Sequence, residues 1–314
     1  MVLSFRLGKI PVRIQPSFFL MTMVLGGLGL GDVRFLLAWV IAVLLSVMLH
    51  ELGHAGMGLV FGLEPSVVLH GMGGTTSWST QRKLSTAQRV AISLAGPGAG
   101  FVIGAIVYVT PAIVRSALPL HVLPPMPLWR FVYAQLLLIN FGWGLMNLLP
   151  MLPLDGGNVM TQLLNALTGG RGERPARIVS VVLAAVVVLL ALGFQQWWPA
   201  LLAVTFISSN WSGLKDLSAR EHDAPMRAAL ERAYAALDAK DSPRILELAR
   251  PVALESRTES VRAEALQLLA FGFLLEGRVP DADAAIAALP RGYAPHPSLL
   301  ELRASVARAG PAAG

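Results

Sequence analysis

The chain has no cysteine among its 314 residues, which excludes disulfide bonds and any metal site with thiolate ligands. It is also poor in charge, because acidic and basic residues make up only 14% of it. About a quarter of a typical soluble domain is charged. Apolar residues make up 54% of the chain. This combination predicts a membrane protein.

The apolar residues are concentrated in one part of the chain. Long apolar runs extend from Phe18 to Trp211, and from about Lys215 the sequence is rich in Ala, Leu, Arg and Glu. We therefore expect an all-α polytopic membrane protein with a C-terminal soluble α-helical domain. The predicted divisions are a cytoplasmic N-terminal tail (1–15), a membrane-embedded domain (16–213), a linker (214–225) and the soluble domain (226–314).

About six segments are candidates for membrane spans, each of which needs about 20 largely apolar residues. They are 16–31, 35–61, 89–114, 129–149, 177–195 and 197–213. Six spans place both termini on one side, and the basic residues of the loops are more numerous on that side. By the positive-inside rule, both termini are cytoplasmic. We expect a multi-pass protein of the cell membrane, in particular of a bacterial inner membrane.

Two histidines and a glutamate interrupt the second apolar run in the sequence His-Glu-Leu-Gly-His, residues 50–54. Positions i and i+4 of a helix lie on one face, so His50 and His54 can reach a single metal ion. Zinc suits imidazole ligands and lowers the pKa of bound water to about 7, and Glu51 is then placed to act as a general base. An ionisable group at membrane depth is costly and indicates function.

A catalytic zinc ion needs a third protein ligand. His70, after the second span, and His121, His222 and His296 are poor candidates because we expect them in loops or in the soluble domain. Asp155 is a better candidate, since Pro150 and Pro153 break the fourth span just before it. The alternative for Asp155 is an ordinary capping residue of the following helix. Spacing alone does not decide between the two.

Glycines recur at four-residue spacing in the third span, at Gly96, Gly100 and Gly104. Small residues at this spacing are typical of close packing between membrane helices. We therefore interpret them as packing positions without a role in chemistry.

The chain resembles the site-2 protease family of intramembrane zinc metalloproteases in three motifs over residues 1–213. These are HELGH in the second span, LAGPGAG (94–100) in the third and NLLPMLPLDGG (147–157) in the fourth. The resemblance implies a zinc endopeptidase that cleaves membrane-spanning segments of membrane-tethered proteins. The family's asparagine after the Ala-Gly-Pro motif is replaced here by Gly100 or Phe101, and that position is assigned no function.

Carried over to this sequence, the resemblance implies one zinc ion bound by His50, His54 and Asp155. It implies that Glu51 is the general base and that Asn147 helps to hold the substrate backbone. The segment 67–78, VVLHGMGGTTSW, resembles the family's glycine-containing loop. Its alternating residues favour a β-hairpin, whose edge could accept an unwound substrate as an added strand. The alternative is a simple loop.

The soluble domain consists of amphipathic helical segments separated by turn signals. Two helix pairs recur at an offset of about 37 residues, which resembles a tetratricopeptide repeat. Such a domain could bind a substrate or a regulator, or it could stabilise or dimerise the protein. The sequence predicts no nucleic-acid partner.

Two other functions also place metal ligands in a membrane. A metal carrier or sensor would need the ligands but leaves Glu51 unexplained. An inactive relative that only binds membrane segments would be expected to lack one of the four residues His50, Glu51, His54 and Asp155. An intramembrane zinc endopeptidase explains all four.

Overall fold

The computed structural model describes residues 2–27, 31–79, 82–117 and 126–309. Within these ranges the protein is mostly helical, with one small sheet. The chain forms two compact units, one up to Trp211 and one from Ser212 onward. The predicted position of His121 lies outside the described residues.

The first unit contains most of the apolar helices. They are α1 (Pro16–Thr22), α2 (Val33–Val60), α3 (Thr86–Ala117), α4 (Met126–Leu137), α5 (Gly144–Asn147), α6 (Asp155–Leu167) and α7 (Glu173–Gly193). The next helix, α8, extends from Trp197 to Asp238. Two further segments are π-helical, Met23–Gly27 and Leu138–Trp143.

Four strands form one mixed sheet in the order β1-β2-β3-β4. They are β1 (Leu3–Leu7), β2 (Ile10–Ile14), β3 (Pro65–His70) and β4 (Gly73–Trp78). The pairs β1–β2 and β3–β4 are antiparallel, whereas β2 and β3 are parallel. The hairpin predicted over 67–78 is present as β3 and β4.

The first two strands occupy residues that the sequence assigned to an N-terminal tail. Their apolar residues alternate with polar ones, which is the period of a strand with one buried face. The buried residues Ile10, Val12 and Ile14 of β2 pack with Val67 and Leu69 of β3. Helices α1 and α2 cover this face, through Phe18, Ala55 and neighbouring apolar residues. The sheet is thus fixed against the helix that carries the HELGH motif.

Among the described residues, three helices are long and apolar enough to span a membrane. They are Val33–Val60, Thr86–Pro111 and Glu173–Gly193, and Pro16–Gly26 is a shorter apolar helix. The predicted count of six spans is therefore not confirmed. The predicted span 129–149 is α4, a π-helical segment and α5, and residues 197–213 form the start of α8.

The second unit has its own apolar core. The end of α8 packs with α9 (Ser242–Glu255), α10 (Glu259–Leu275), α11 (Val279–Ala287) and α12 (Pro297–Ala309) around buried residues such as Ile245, Leu268 and Leu299. The predicted linker 214–225 is helical, as its Ala, Leu, Lys, Arg and Glu residues favour. The helical character of this unit agrees with the sequence prediction, and its likeness to tetratricopeptide repeats stays a prediction.

Candidate metal centre and active site

The two histidines of the HELGH motif lie one helical turn apart on α2. Their Nε2 atoms are 3.2 Å from each other, and the two rings meet edge to face. His54 and Glu51 are buried. A helix therefore brings the two imidazole nitrogens to one point, as the i, i+4 spacing predicts.

Asp155 reaches the same point from a distant part of the chain. Helix α5 ends at Asn147, and the segment that follows contains Pro150 and Pro153. Asp155 is the first residue of α6, whose N-cap is Leu154. The N-cap position is thus occupied by Leu154 and not by Asp155, whose carboxylate faces the two histidines.

Two buried polar side chains hold the segment before Asp155 in place. The amide of Leu152 donates to Oγ of Ser180 on α7 at 2.8 Å, and the carbonyl of Leu152 accepts from Nδ2 of Asn210 on α8 at 2.8 Å. Gly156 and Gly157 lie so close to the backbone of this segment that a Cβ on either would collide with it. The position of Asp155 is therefore set by contacts with two other helices.

The three candidate ligands fit a zinc ion. Oδ2 of Asp155 is 3.2 Å from Nε2 of His50, and Oδ1 is 3.3 Å from Nε2 of His54. Ligand atoms about 2.0–2.1 Å from a tetrahedral zinc ion lie about 3.3 Å apart. The three residues also form the one group of metal-binding side chains found among the described residues. Two neutral imidazoles and a carboxylate are a donor set that zinc prefers.

A backbone carbonyl fixes the orientation of His54. Nδ1 of His54 lies 2.7 Å from the carbonyl oxygen of Ile92 on α3. The carbonyl can only accept, so Nδ1 carries the proton and Nε2 offers its lone pair. Metal-binding histidines commonly have such a partner on their second nitrogen. The sequence analysis did not identify this contact, because a main-chain acceptor leaves no signal in the sequence.

Glu51 faces strand β4 of the sheet. The hydroxyl of Thr76 donates to Oε2 of Glu51 at 2.6 Å and lies 3.2 Å from its carbonyl oxygen. Gly74 lies beside the same carboxylate, and a Cβ there would collide with it. Thr76 and Gly74 were not singled out as site residues from the sequence. The two-residue period of β4 places both on one face, but the sequence alone does not show which face meets α2.

Gly96 of α3 lies directly against the two imidazoles. A Cβ at this position would collide with Nε2 of His54 and contact Nε2 of His50. The sequence analysis interpreted Gly96 as a packing position between helices. The structure adds that the side chains packed against it are the two histidines of the candidate site. Gly53 on α2 allows the same close approach from the other helix, since a Cβ there would collide with the backbone of Ala95 on α3.

A cavity of about 850 Å³ contains the three candidate ligands and Glu51. Asn147 lines it as well and is buried. Asn140 belongs to the π-helical segment and donates to Oγ of Ser46 at 3.0 Å, one turn before His50. π-Helical turns occur often at functional sites. The cavity thus joins the candidate ligands to polar side chains such as Asn140 and Asn147 in a space lined by protein.

The other three histidines of the described residues are not members of the ligand group. His70 at the end of β3 lines the cavity but bonds to Oγ1 of Thr75 at 2.8 Å. His222 and His296 belong to the second unit, where they contact the carbonyl of Glu255 and the hydroxyl of Ser298. That none of them is a ligand stays a prediction.

Two histidines of α2 and the aspartate that opens α6 thus form a group that could hold a metal ion, with Glu51 beside it. Comparison with known proteins gives similarities of three kinds. Residues 125–192 match Peptidase family M50, a segment that includes Asn147 and Asp155. The solved structure of the Site-2 Protease from Methanocaldococcus jannaschii has a similar fold, with a TM-score of 0.50 and 24% identity. The likeness covers 68% of this chain and 95% of that one.

Two relatives are similar in sequence. The "Putative zinc metalloprotease sll0528" of Synechocystis is 32% identical over 180 residues, which cover 52% of this chain and 44% of that protein. Zinc metalloprotease MJ0392 of Methanocaldococcus jannaschii is 28% identical over 167 residues, 52% of this chain and 46% of that protein. The chain thus spans less than half of the length of either relative. The names and the ligand geometry together support zinc as the metal.

Proposed function

We propose that the protein is a zinc-dependent endopeptidase that cleaves membrane-embedded segments of other proteins. The observation that carries this proposal is the meeting of His50, His54 and Asp155 within 4.8 Å of one another, with Glu51 adjacent on a membrane helix. A structural set of buried polar residues would not need two ring nitrogens and a carboxylate at zinc-ligand separations.

In this proposal His50, His54 and Asp155 hold zinc. A bound zinc ion would supply a Lewis acid for the substrate carbonyl and lower the pKa of the attacking water. Glu51 accepts a proton from that water and passes it to the leaving nitrogen. The hydroxyl of Thr76 occupies Oε2 of Glu51, which leaves Oε1 to carry the proton.

The substrate has to be unwound before it can react, because a membrane helix uses its peptide groups in its own hydrogen bonds. Strand β4 is an edge of the sheet, and its residue Thr76 contacts Glu51. An extended segment added to this edge would lie next to the general base. Asn147, buried in the wall of the same cavity, is suited to hold the backbone of that segment.

The proposal includes the membrane placement predicted from the sequence. Six spans with cytoplasmic termini, in a bacterial inner membrane, would place the catalytic cavity toward the cytoplasmic side. The second unit would then bind a substrate or regulatory protein in the cytoplasm. A metal carrier is less well supported, because a carrier has no use for a carboxylate fixed by Thr76 next to the ligands.

Two variants test the proposed roles. We expect Glu51→Gln to keep one zinc ion per chain and to lose cleavage of a tagged membrane substrate, because an amide cannot accept the proton. We expect Asp155→Ala to lose the zinc as well, since it removes one of three ligands. Zinc would be measured by mass spectrometry of the purified protein in detergent. Normal cleavage by the Glu51 variant would show that another group is the base.

A further inference from the structure

The edge strand β1 carries a row of exposed apolar side chains on one face. Leu3, Phe5 and Leu7 are 52%, 40% and 39% exposed. Their partners on β2 are Ile14, Val12 and Ile10, all of which are buried. Paired residues of neighbouring strands point to the same side of a sheet. The exposed row therefore lies on the same face of the sheet as the buried residues of β2. Helices α1 and α2 cover that face at β2 but leave it exposed at β1.

The opposite face and the turn of the same hairpin are basic. Arg6 alternates with the apolar row on β1, Arg13 lies opposite Ser4 on β2, and Lys9 is in the turn. All three are exposed, and no ion pair engages them in the part of the chain that the structure describes. The first acidic residue of the sequence is Asp32. The hairpin is thus apolar on one side and positively charged on the other.

The buried face that this row extends is packed against α2, a candidate membrane span, through residues that include Val47 and Leu52. The hairpin therefore lies beside a membrane segment. Its backbone does not lie in the hydrocarbon, because no other described strand pairs with the outer edge of β1, and unpaired backbone groups are not tolerated in contact with lipid chains. The headgroup layer of the membrane can accommodate all three features of the hairpin: its apolar face, the unpaired edge of β1 and its three basic residues.

We infer that the β1–β2 hairpin is a membrane-docking surface for anionic phospholipid. Leu3, Phe5 and Leu7 enter the upper acyl region, while Arg6, Lys9 and Arg13 bind phosphate groups of the headgroups. Each basic residue near an anionic bilayer adds about 1 kcal/mol of attraction. Since β2 also pairs with β3 of the hairpin beside Glu51, this docking sets the height of the cavity relative to the headgroups.

The absence of cysteine allows a direct test with single spin labels on the full-length protein. Labels would be placed at Phe5→Cys and, as the matched control on the opposite face, at Ser4→Cys. The protein would be held in nanodiscs of phosphatidylcholine and phosphatidylglycerol in equal parts. We expect the label at position 5 to collide several-fold more with oxygen than with a water-soluble nickel chelate, and the label at position 4 to show the reverse. Leu7→Cys replaces Phe5→Cys if that variant does not fold.

The charge requirement is tested by removing all three cations. The triple variant Arg6→Gln, Lys9→Gln, Arg13→Gln should reduce the preference of the protein for spin-labelled phosphatidylglycerol over phosphatidylcholine, by up to about five-fold per charge removed. The control with the same change of charge is Arg227→Gln, Arg232→Gln, Arg250→Gln, which alters exposed arginines of the second unit.

Three results would overturn the inference. One is equal exposure to water at positions 4 and 5. Another is dipolar broadening between labels at position 5, which would show that a second copy of the chain covers this face. The third is an unchanged lipid preference in the triple variant. None of these measurements depends on zinc or on cleavage. A negative result would therefore contradict this inference without contradicting the proposed function.

Discussion

The hydroxyl of Thr76 donates a 2.6 Å hydrogen bond to Oε2 of Glu51 and so joins the edge strand of the sheet to the HELGH helix. The contact links an element expected to position a substrate with the residue proposed to move the proton. Gly74 of the same strand leaves the space that the Glu51 carboxylate occupies, because a Cβ at position 74 would collide with it.

We predict that Thr76→Val lowers kcat about ten- to a hundred-fold, since a hydrogen bond to a charged group contributes roughly 1.5–3 kcal/mol. Zinc content should not change, because Thr76 does not contact the ligand group. Thr76→Ser should retain most of the activity. The control is Thr75→Val, which alters the neighbouring residue that bonds to His70 instead. Equal effects at both positions would indicate a general disturbance of β4.

Gly96→Ala should lower the zinc content of the purified protein. The added methyl group collides with Nε2 of His54 and crowds Nε2 of His50, so one imidazole has to leave its position. Gly98→Ala is the matched control on the same helix, because a Cβ at Gly98 meets no atom within 4 Å. Zinc bound per chain and the midpoint of a chelator titration would be compared. A normal titration for Gly96→Ala would show that the imidazoles move without loss of the metal.

The second unit should lose stability in acid through Asp223. Burial raises the pKa of this carboxyl, but hydrogen bonds from the backbone amides of Arg257 (2.9 Å) and Thr258 (2.7 Å) lower it more, so the folded pKa is below its ordinary value. A lowered folded pKa means that the stabilisation is complete above about pH 4 and is lost as the pH falls through the folded value.

At neutral pH, Asp223→Ala should destabilise the start of α10 by about 1–3 kcal/mol, because the backbone amides of Arg257 and Thr258 lose their acceptor. Hydrogen exchange of peptides from α10 in the full-length protein would measure this. Asp238→Ala, an exposed position of the same helix as Asp223, is the control. In the Asp223 variant the acid-dependent loss of protection should also disappear, and its persistence would assign the loss to another group.

The parts of the site that could be predicted from the sequence are those in which neighbours along the chain are neighbours in space. The i, i+4 spacing of His50 and His54 fixes their shared face on any helix. Asp155 needed more, since its place after two prolines left a capping role open and the ligand role came from the resemblance of its motif. In the structure Ser180 and Asn210 hold the segment before it through Leu152. Those two residues are ordinary polar positions of apolar helices in the sequence.

In the sheet, too, the local features could be predicted from the sequence and the long-range pairing could not. The β3–β4 hairpin is local, and its alternation made it predictable. The parallel pairing of β2 with β3 joins residues such as Val12 and Val67, which are far apart in the chain, and no local pattern indicates it. Strands β1 and β2 were missed because residues 1–15 precede the first long apolar run and were assigned to a tail, although their alternation has the period of a strand.

The ligands of the candidate centre come from α2 and from the start of α6, and the ring of His54 is anchored on α3. An ion held there would link these three helices through its ligands and their hydrogen-bond partner. Its free energy of binding would then contribute to folding of the membrane domain. A chelator strong enough to strip the ion would consequently act as a denaturant of the surrounding bundle, in addition to stopping the chemistry.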